Sequence, residues 1–157
     1  MAKNHHYKAT IRWVGNKGSG TSAYDAYGRD WDLVTEGMDI LHGSADPAFR
    51  GDAAKHNPED LLVAALSSCH MLWYLHFCAD AGIVATSYED DAEGEMVMER
   101  GGAGQFVSVT LRPRVGLAPG SDAEKALSLH EKAHELCFIA RSVNFPVTCE
   151  PEAPAIG

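Results

Sequence analysis

Cys69 sits in the middle of an apolar stretch, NPEDLLVAALSSCHMLWYLHFCAD (57–80), and a carboxylate, Glu59, stands ten residues before it. A thiol can act as nucleophile, redox centre or soft metal ligand, and the charge around it decides which. Three further cysteines, Cys78, Cys137 and Cys149, lack the short paired spacings of a zinc site, so free thiols are expected in a reducing compartment. Cys78 lies nine residues from Cys69, about half a turn round a helix, and reads as a packing residue. Cys149 reads as incidental, and His70 as a core or interface residue. His134, three residues before Cys137, could polarise that thiol. A metal site would have to gather Cys69 and Cys137 with His70 or His134 from separate helices, and no general base can be placed against Cys69 for acyl transfer.

The stretch that carries Cys69 predicts one continuous helix from Asn57 to Asp80. Asn57 can cap the first turn, Pro58 suits the first helical position because its missing N–H had no partner there, and Glu59 and Asp60 favour the positive end. Between Leu61 and Phe77 the apolar residues face every side rather than one stripe, so protein must cover most of the circumference. This is the signature of a central, buried helix. The run from Leu61 to Leu75 is too short for a bilayer and is interrupted by His70, and MAKNHHYKAT carries no apolar leader. A cytoplasmic protein is the expectation.

On either side of this helix the pattern changes to that of strands. Tyr7 to Val14 alternates apolar and polar residues, NKGSG (16–20) is a turn, Thr21 to Val34 pairs back irregularly, and a third strand is expected around Met38 to Leu41. His42 to His56 is a long polar connection containing Arg50, and loops of that length are often functional. After the helix, strand character from Ile83 to Met98 turns through GGAG (101–104) into Gln105 to Val115, where Pro113 suggests an edge. Ser121 with Glu124 predicts a capping box for a second helix, with Ala126, Leu129, Ala133, Leu136 and Ala140 as its apolar stripe. His130, His134, Cys137 and Arg141 then line an adjacent face. Val143 to Cys149 gives a last strand, and the Pro-rich tail is expected to add little. Strand groups separated by two helices predict an α+β fold of antiparallel β-sheets packed around two main helices.

A chain of 157 residues with 45% hydrophobic content can bury a core as a single domain, 1–157. The net charge of −9, with no basic cluster, argues against nucleic acid or an anionic membrane as partner and leaves small molecules or proteins.

The run HNPEDLLVAALSSC (56–69), followed by AHELCFIARSVNFPV (133–147), resembles the OsmC/Ohr superfamily of thiol-dependent hydroperoxide reductases over essentially the whole chain. In that family a helix opens with Asn-Pro-Glu and carries the reactive cysteine ten residues after the glutamate, the spacing of Glu59 and Cys69 here. Cys137 holds the place of the second family cysteine, although Phe138 and Ile139 follow it where the family often has Pro and then Ser. The family's arginine precedes the helix. Arg50 is the nearest in this chain, with Arg12 and Arg29 as alternatives.

The resemblance implies a cysteine-based peroxidase, an antioxidant stress-response protein that needs no cofactor. Cys69 would attack a peroxide oxygen, releasing an alcohol and leaving a sulfenic acid, and Cys137 would condense with it to a disulfide. Arg50 would balance the charge on the attacking sulfur, and Glu59 would hold the guanidinium in a bidentate pair. Apolar walls from Leu72, Trp73 and Phe138 would favour an organic hydroperoxide, and a dithiol, as on a lipoylated protein, would be the reductant. A non-catalytic stress-response or ligand-binding protein of the same fold is the alternative. On one helix Glu59 and Cys69 stand ~15 Å apart, so one chain can hardly supply both. The family's intertwined homodimer, with the central helix buried at its interface, would bring them together across protomers.

Overall fold

The computed structural model describes residues 3–157, which form two compact units, the first ending at Leu61 and the second running from Leu62 to Gly157. In the first unit, β1 (Thr10–Trp13), β2 (Trp31–Val34) and β3 (Leu41–Gly43) make an antiparallel sheet in the order β1-β2-β3. Three antiparallel strands before the helix are as the sequence predicts, but each is shorter. Residues 21–30 are turns and bends rather than strand. Gly43 pairs with Trp31, and a Cβ there would lie 2.1 Å from the indole, so only glycine lets the ring lie across β3. The indole N–H of Trp31 donates to the Ser44 carbonyl at 3.0 Å.

The polar connection after β3 is folded onto this sheet. Ser44 N–H donates to the His56 carbonyl at 2.9 Å, and Asp52 N–H donates to the Ser44 hydroxyl at 3.1 Å. Lys55 pairs with Asp30 at 2.7 Å and lowers the Asp30 pKa, mainly through that hydrogen bond. A 3-10 turn, Pro47–Phe49, starts where the Asp46 carboxylate accepts from Ala48 N–H at 2.7 Å.

The helix α1 (Pro58–Asp80) begins in this unit and continues through the second. Its start is the predicted one: the Asn57 side chain accepts from Asp60 N–H at 2.7 Å. Asn57→Ala leaves that donor without its acceptor and should cost about 1 kcal/mol. The measurement is a urea melt, in which the midpoint should fall with the slope unchanged. At the other end Gly82, φ 71, closes the helix in the left-handed conformation expected of a cap. The helix is longer than its central apolar run, and by length and composition alone it could cross a membrane. Leu66, His70, Tyr74, Phe77 and Cys78 are nonetheless buried in the protein, a set recurring every three or four residues.

In the second unit, β4 (Ala85–Asp90), β5 (Glu93–Met98), β6 (Gly104–Leu111) and β7 (Pro113–Leu117) are followed by α2 (Ala123–Leu136), β8 (Val147–Cys149) and β9 (Ala155–Ile156). They form two three-stranded sheets, β4-β7-β9 and β5-β6-β8. The α+β class of the sequence reading holds, with two parallel additions: β8 joins β6, and β9 joins β7. The Pro-rich tail therefore contributes a strand. Pro113 does not lie at an edge, since β7 is central in its sheet; as the first residue of a strand, proline is tolerated there. At the break between β6 and β7, Arg112 N–H donates to Asp90 at 2.6 Å, while the other Asp90 oxygen accepts from Ser67 of α1 at 2.5 Å.

The capping box at Ser121 is replaced by a cap one residue later. Asp122 accepts from Lys125 N–H at 2.9 Å, and the Ser121 hydroxyl accepts instead from Val84 N–H at 3.3 Å. A carboxylate is the stronger acceptor for a helix N-terminus. The buried stripe of α2 is Ala126, His130 and Ala133, packed with Tyr74, Phe77, Val115 and Leu117 in the case of the two alanines. Leu136, expected in the stripe, is 39% exposed, and Ala140 lies beyond the helix.

Candidate active site

Cys69 projects from the middle of α1 and is half-buried; Cys137 is the C-cap of α2 and is buried, 1% exposed. Both are free thiols, and they are neighbours. Burial pushes the Cys137 thiol up to about 11; Ala140 N–H, 3.5 Å from the sulfur, opposes the rise, and the nearby Cys69 thiol adds to it. The sequence placed Cys137 late in the helix; it stands just past the end because its ψ of 113 leaves the helical region. A 3-10 turn, Ala140–Ser142, follows at once, held by Arg141 N–H on the Cys137 carbonyl at 3.1 Å. The extended backbone thus lets the chain fold over the sulfur it has just presented.

The two thiols differ in access. Cys69 is half-buried and partly open to solvent, whereas Cys137 is closed off and its thiolate is disfavoured by burial. One helical turn beyond Cys69 stand Leu72, 64% exposed, and Trp73. Trp73 meets Phe138 edge-on at 5.3 Å, and Phe138 is 65% exposed. These are the three residues expected as apolar walls, and they are accessible.

Arg50 and Glu59 both belong to the first unit. Arg50 is the one non-glycine residue with positive φ, 65°, among the described residues, and its guanidinium lies 5.9 Å from the Tyr24 ring centroid. That conformation closes the 3-10 turn Pro47–Phe49, with Arg50 N–H donating to the Pro47 carbonyl at 3.0 Å. Arg29 is committed elsewhere, donating to the Tyr27 and Tyr24 carbonyls at 2.6 and 2.7 Å and stacking on both rings. Arg12 lies on the exposed strand β1.

Cys78 is buried beside Tyr74, and its pKa is raised by burial, as a packing residue requires. His134 accepts from Cys137 N–H at 3.3 Å through its backbone carbonyl only, while its ring lines a cavity together with His130 and Cys149. The face expected to hold His130, His134, Cys137 and Arg141 ends at the helix terminus, so only the first two share it. The sequence reading missed that His130 occupies the buried stripe and that Cys149 packs against His70. The one available signal was the spacing of His130, four residues after Ala126 and three before Ala133.

Comparison with known proteins places these features in context. Residues 51–152 match the model of the OsmC-like protein family. An OsmC-like protein of unknown function from Vibrio cholerae is 32% identical, with a TM-score of 0.85 over 95% of this chain and 100% of that one. An organic hydroperoxide resistance protein from Elizabethkingia anophelis superposes with a TM-score of 0.67 at 19% identity, over 97% and 100% of the two chains. The organic hydroperoxide resistance protein OhrB of Bacillus subtilis gives 0.60 at 21%, over 92% and 96%. These last two share the fold. No curated protein matches. On the family match over 51–152 and the 32% identity to the Vibrio cholerae protein, the chain belongs to the OsmC-like family.

Proposed function

We propose that this protein is a cysteine-based peroxidase that reduces organic hydroperoxides in the cytoplasm. The observation that carries the reading is the pair of free, neighbouring thiols, one reachable and one buried. The Cys69 sulfur attacks the peroxide, the O–O bond breaks, and the alkoxide leaves as an alcohol once protonated. Cys137 then condenses with the sulfenic acid, forming the S–S bond and releasing water. An external dithiol, such as that of a lipoylated protein, returns the pair to thiols. Exposed Leu72 and Phe138 beside the thiols favour an alkyl or aryl substituent over hydrogen peroxide. A turnover assay of cumene and tert-butyl hydroperoxide against hydrogen peroxide, with lipoamide and thioredoxin systems in parallel, tests substrate class and reductant together. Equal or higher kcat/KM for hydrogen peroxide would overturn the substrate assignment.

Arg50 and Glu59 complete the site by neutralising the sulfur and fixing the guanidinium. Because α1 is unbroken, Glu59 and Cys69 are ~15 Å apart along it, so the proposal includes a homodimer whose sites take the carboxylate from one protomer and the thiols from the other. The apolar surface that α1 leaves uncovered supports this assembly. Co-refolding Cys69→Ser with Glu59→Gln should then regain activity above either variant alone, because a heterodimer holds one intact site. Confirmed heterodimers without such a gain would refute the shared site.

A further inference from the structure

Away from the Cys69–Cys137 pair, three ligand atoms from three elements meet: Nε2 of His70 on α1, Nδ1 of His130 on α2 and Sγ of Cys149 on β8. All lie within 4.8 Å of one another, His70 and His130 are 3.0 Å apart, and Cys149 is 3.5 Å from His70. His70 is fully buried and His130 is 3% exposed. We propose that His70, His130 and Cys149 form a binding site for one zinc-class divalent cation, with a fourth position open to the neighbouring cavity.

The separations carry the proposal. Bonds of about 2.0–2.1 Å to imidazole and about 2.3 Å to thiolate around a tetrahedral ion place two nitrogens about 3.3 Å apart and a nitrogen and sulfur about 3.5 Å apart. The His70–His130 and His70–Cys149 separations come within a few tenths of an ångström of these values, and His130 Nδ1 and Cys149 Sγ lie within 4.8 Å. An imidazole pair with one thiolate suits zinc in preference to magnesium or calcium, which need oxygen. The two rings are parallel within 1° with centroids 5.3 Å apart, so without an ion they face edge to edge and share a single proton. An ion seated on the Cys149 side replaces that contact, and both rings turn toward it. The thiol proton leaves to solvent as the sulfur–metal bond forms, and no electron changes hands.

Other roles fit the same atoms less well. In a Cys–His–His catalytic triad the base uses one nitrogen for the thiol and the other for the orienting group. Here one nitrogen, His70 Nε2, faces both partners, which is convergence on a point rather than a relay. The cavity, ≈ 350 Å³, is lined by His130, His134 and Cys149, which provides an entry route and room for a bound water.

The test uses the full chain, reduced and metal-free. Zinc is titrated against a chromophoric chelator, and cobalt(II) is added separately as a spectroscopic probe. One equivalent per chain should bind, and cobalt should give a thiolate-to-metal charge-transfer band. Cys149→Ser should abolish that band and weaken zinc binding at least tenfold, while the Cys69→Ser/Cys137→Ser double variant should keep both. If Cys149→Ser does not fold, His130→Gln serves for the same comparison of zinc affinity. Absence of stoichiometric binding, a band that survives Cys149→Ser, or a band lost only in the double variant overturns the proposal. The exposed His5 and His6 could bind cobalt but cannot give a thiolate band. The readouts are independent of peroxide turnover, so this site and the peroxidase reading can fail separately.

Discussion

Cys69→Ser abolishes hydroperoxide consumption, with kcat/KM for cumene hydroperoxide falling at least about a thousandfold, more than ~4 kcal/mol of transition-state stabilisation. A serine hydroxyl at that position cannot attack the O–O bond at neutral pH, and the remaining thiols are poor substitutes. Cys137 is 1% exposed and Cys78 is 2% exposed, so no peroxide reaches either without local opening. Burial pushes Cys149 up to about 12, with Asp90 and Glu150 adding repulsion to its thiolate. Cys78→Ala and Cys149→Ser should therefore retain most of the wild-type rate. Peroxide loss followed at matched concentration of folded protein decides the matter. A Cys69→Ser rate near wild type would remove the basis of the peroxidase reading.

The second large effect is expected at Cys137. Cys137→Ser should consume one equivalent of hydroperoxide in a rapid first turnover and then stall, because the Cys69 sulfenic acid has lost the thiol beside it. Excess peroxide should carry that sulfenic acid on to sulfinic acid. Mass spectrometry of the reacted variant should show a gain of one oxygen and then two, where the wild type shows loss of two hydrogens on forming the disulfide. The high pKa of Cys137 does not prevent its role: the sulfenic hydroxyl leaves as water, taking up the proton that the thiol gives up. Sustained wild-type turnover in Cys137→Ser would mean that another thiol resolves Cys69, and Cys149 would then be the remaining thiol that is not fully buried.

The cysteine of the long helix, its cap and its apolar character were legible because they are local. Asn57, Pro58 and Glu59 act within one turn, and a run of apolar residues specifies helix length whatever packs around it. The strands were legible as a class for the same reason, since alternation and turn glycines act over a few residues. Register and neighbours were not. Pro113 looked like an edge residue because its missing N–H is visible in the sequence, while the strand β9 that joins the other side of β7 comes from a tail with almost no strand signal. The cap of α2 moved from Ser121 to Asp122 because Val84, thirty-seven residues away, claims the serine hydroxyl.

The same division runs through the candidate sites. Spacing singled out Glu59 and Cys69 as candidates, and resemblance supplied Cys137. That Cys137 is sealed by its own following turn while Cys69 stays reachable follows from a backbone change at the helix end, which no spacing rule encodes. The meeting of His70, His130 and Cys149 draws on α1, α2 and β8, with sixty and seventy-nine residues between its members, and His130 and Cys149 read singly as ordinary residues. Local sequence sets which elements form and which side chains they carry. The parallel pairing of β8 with β6 and the packing of α2 decide which of those side chains meet, because burial is settled by all the elements at once.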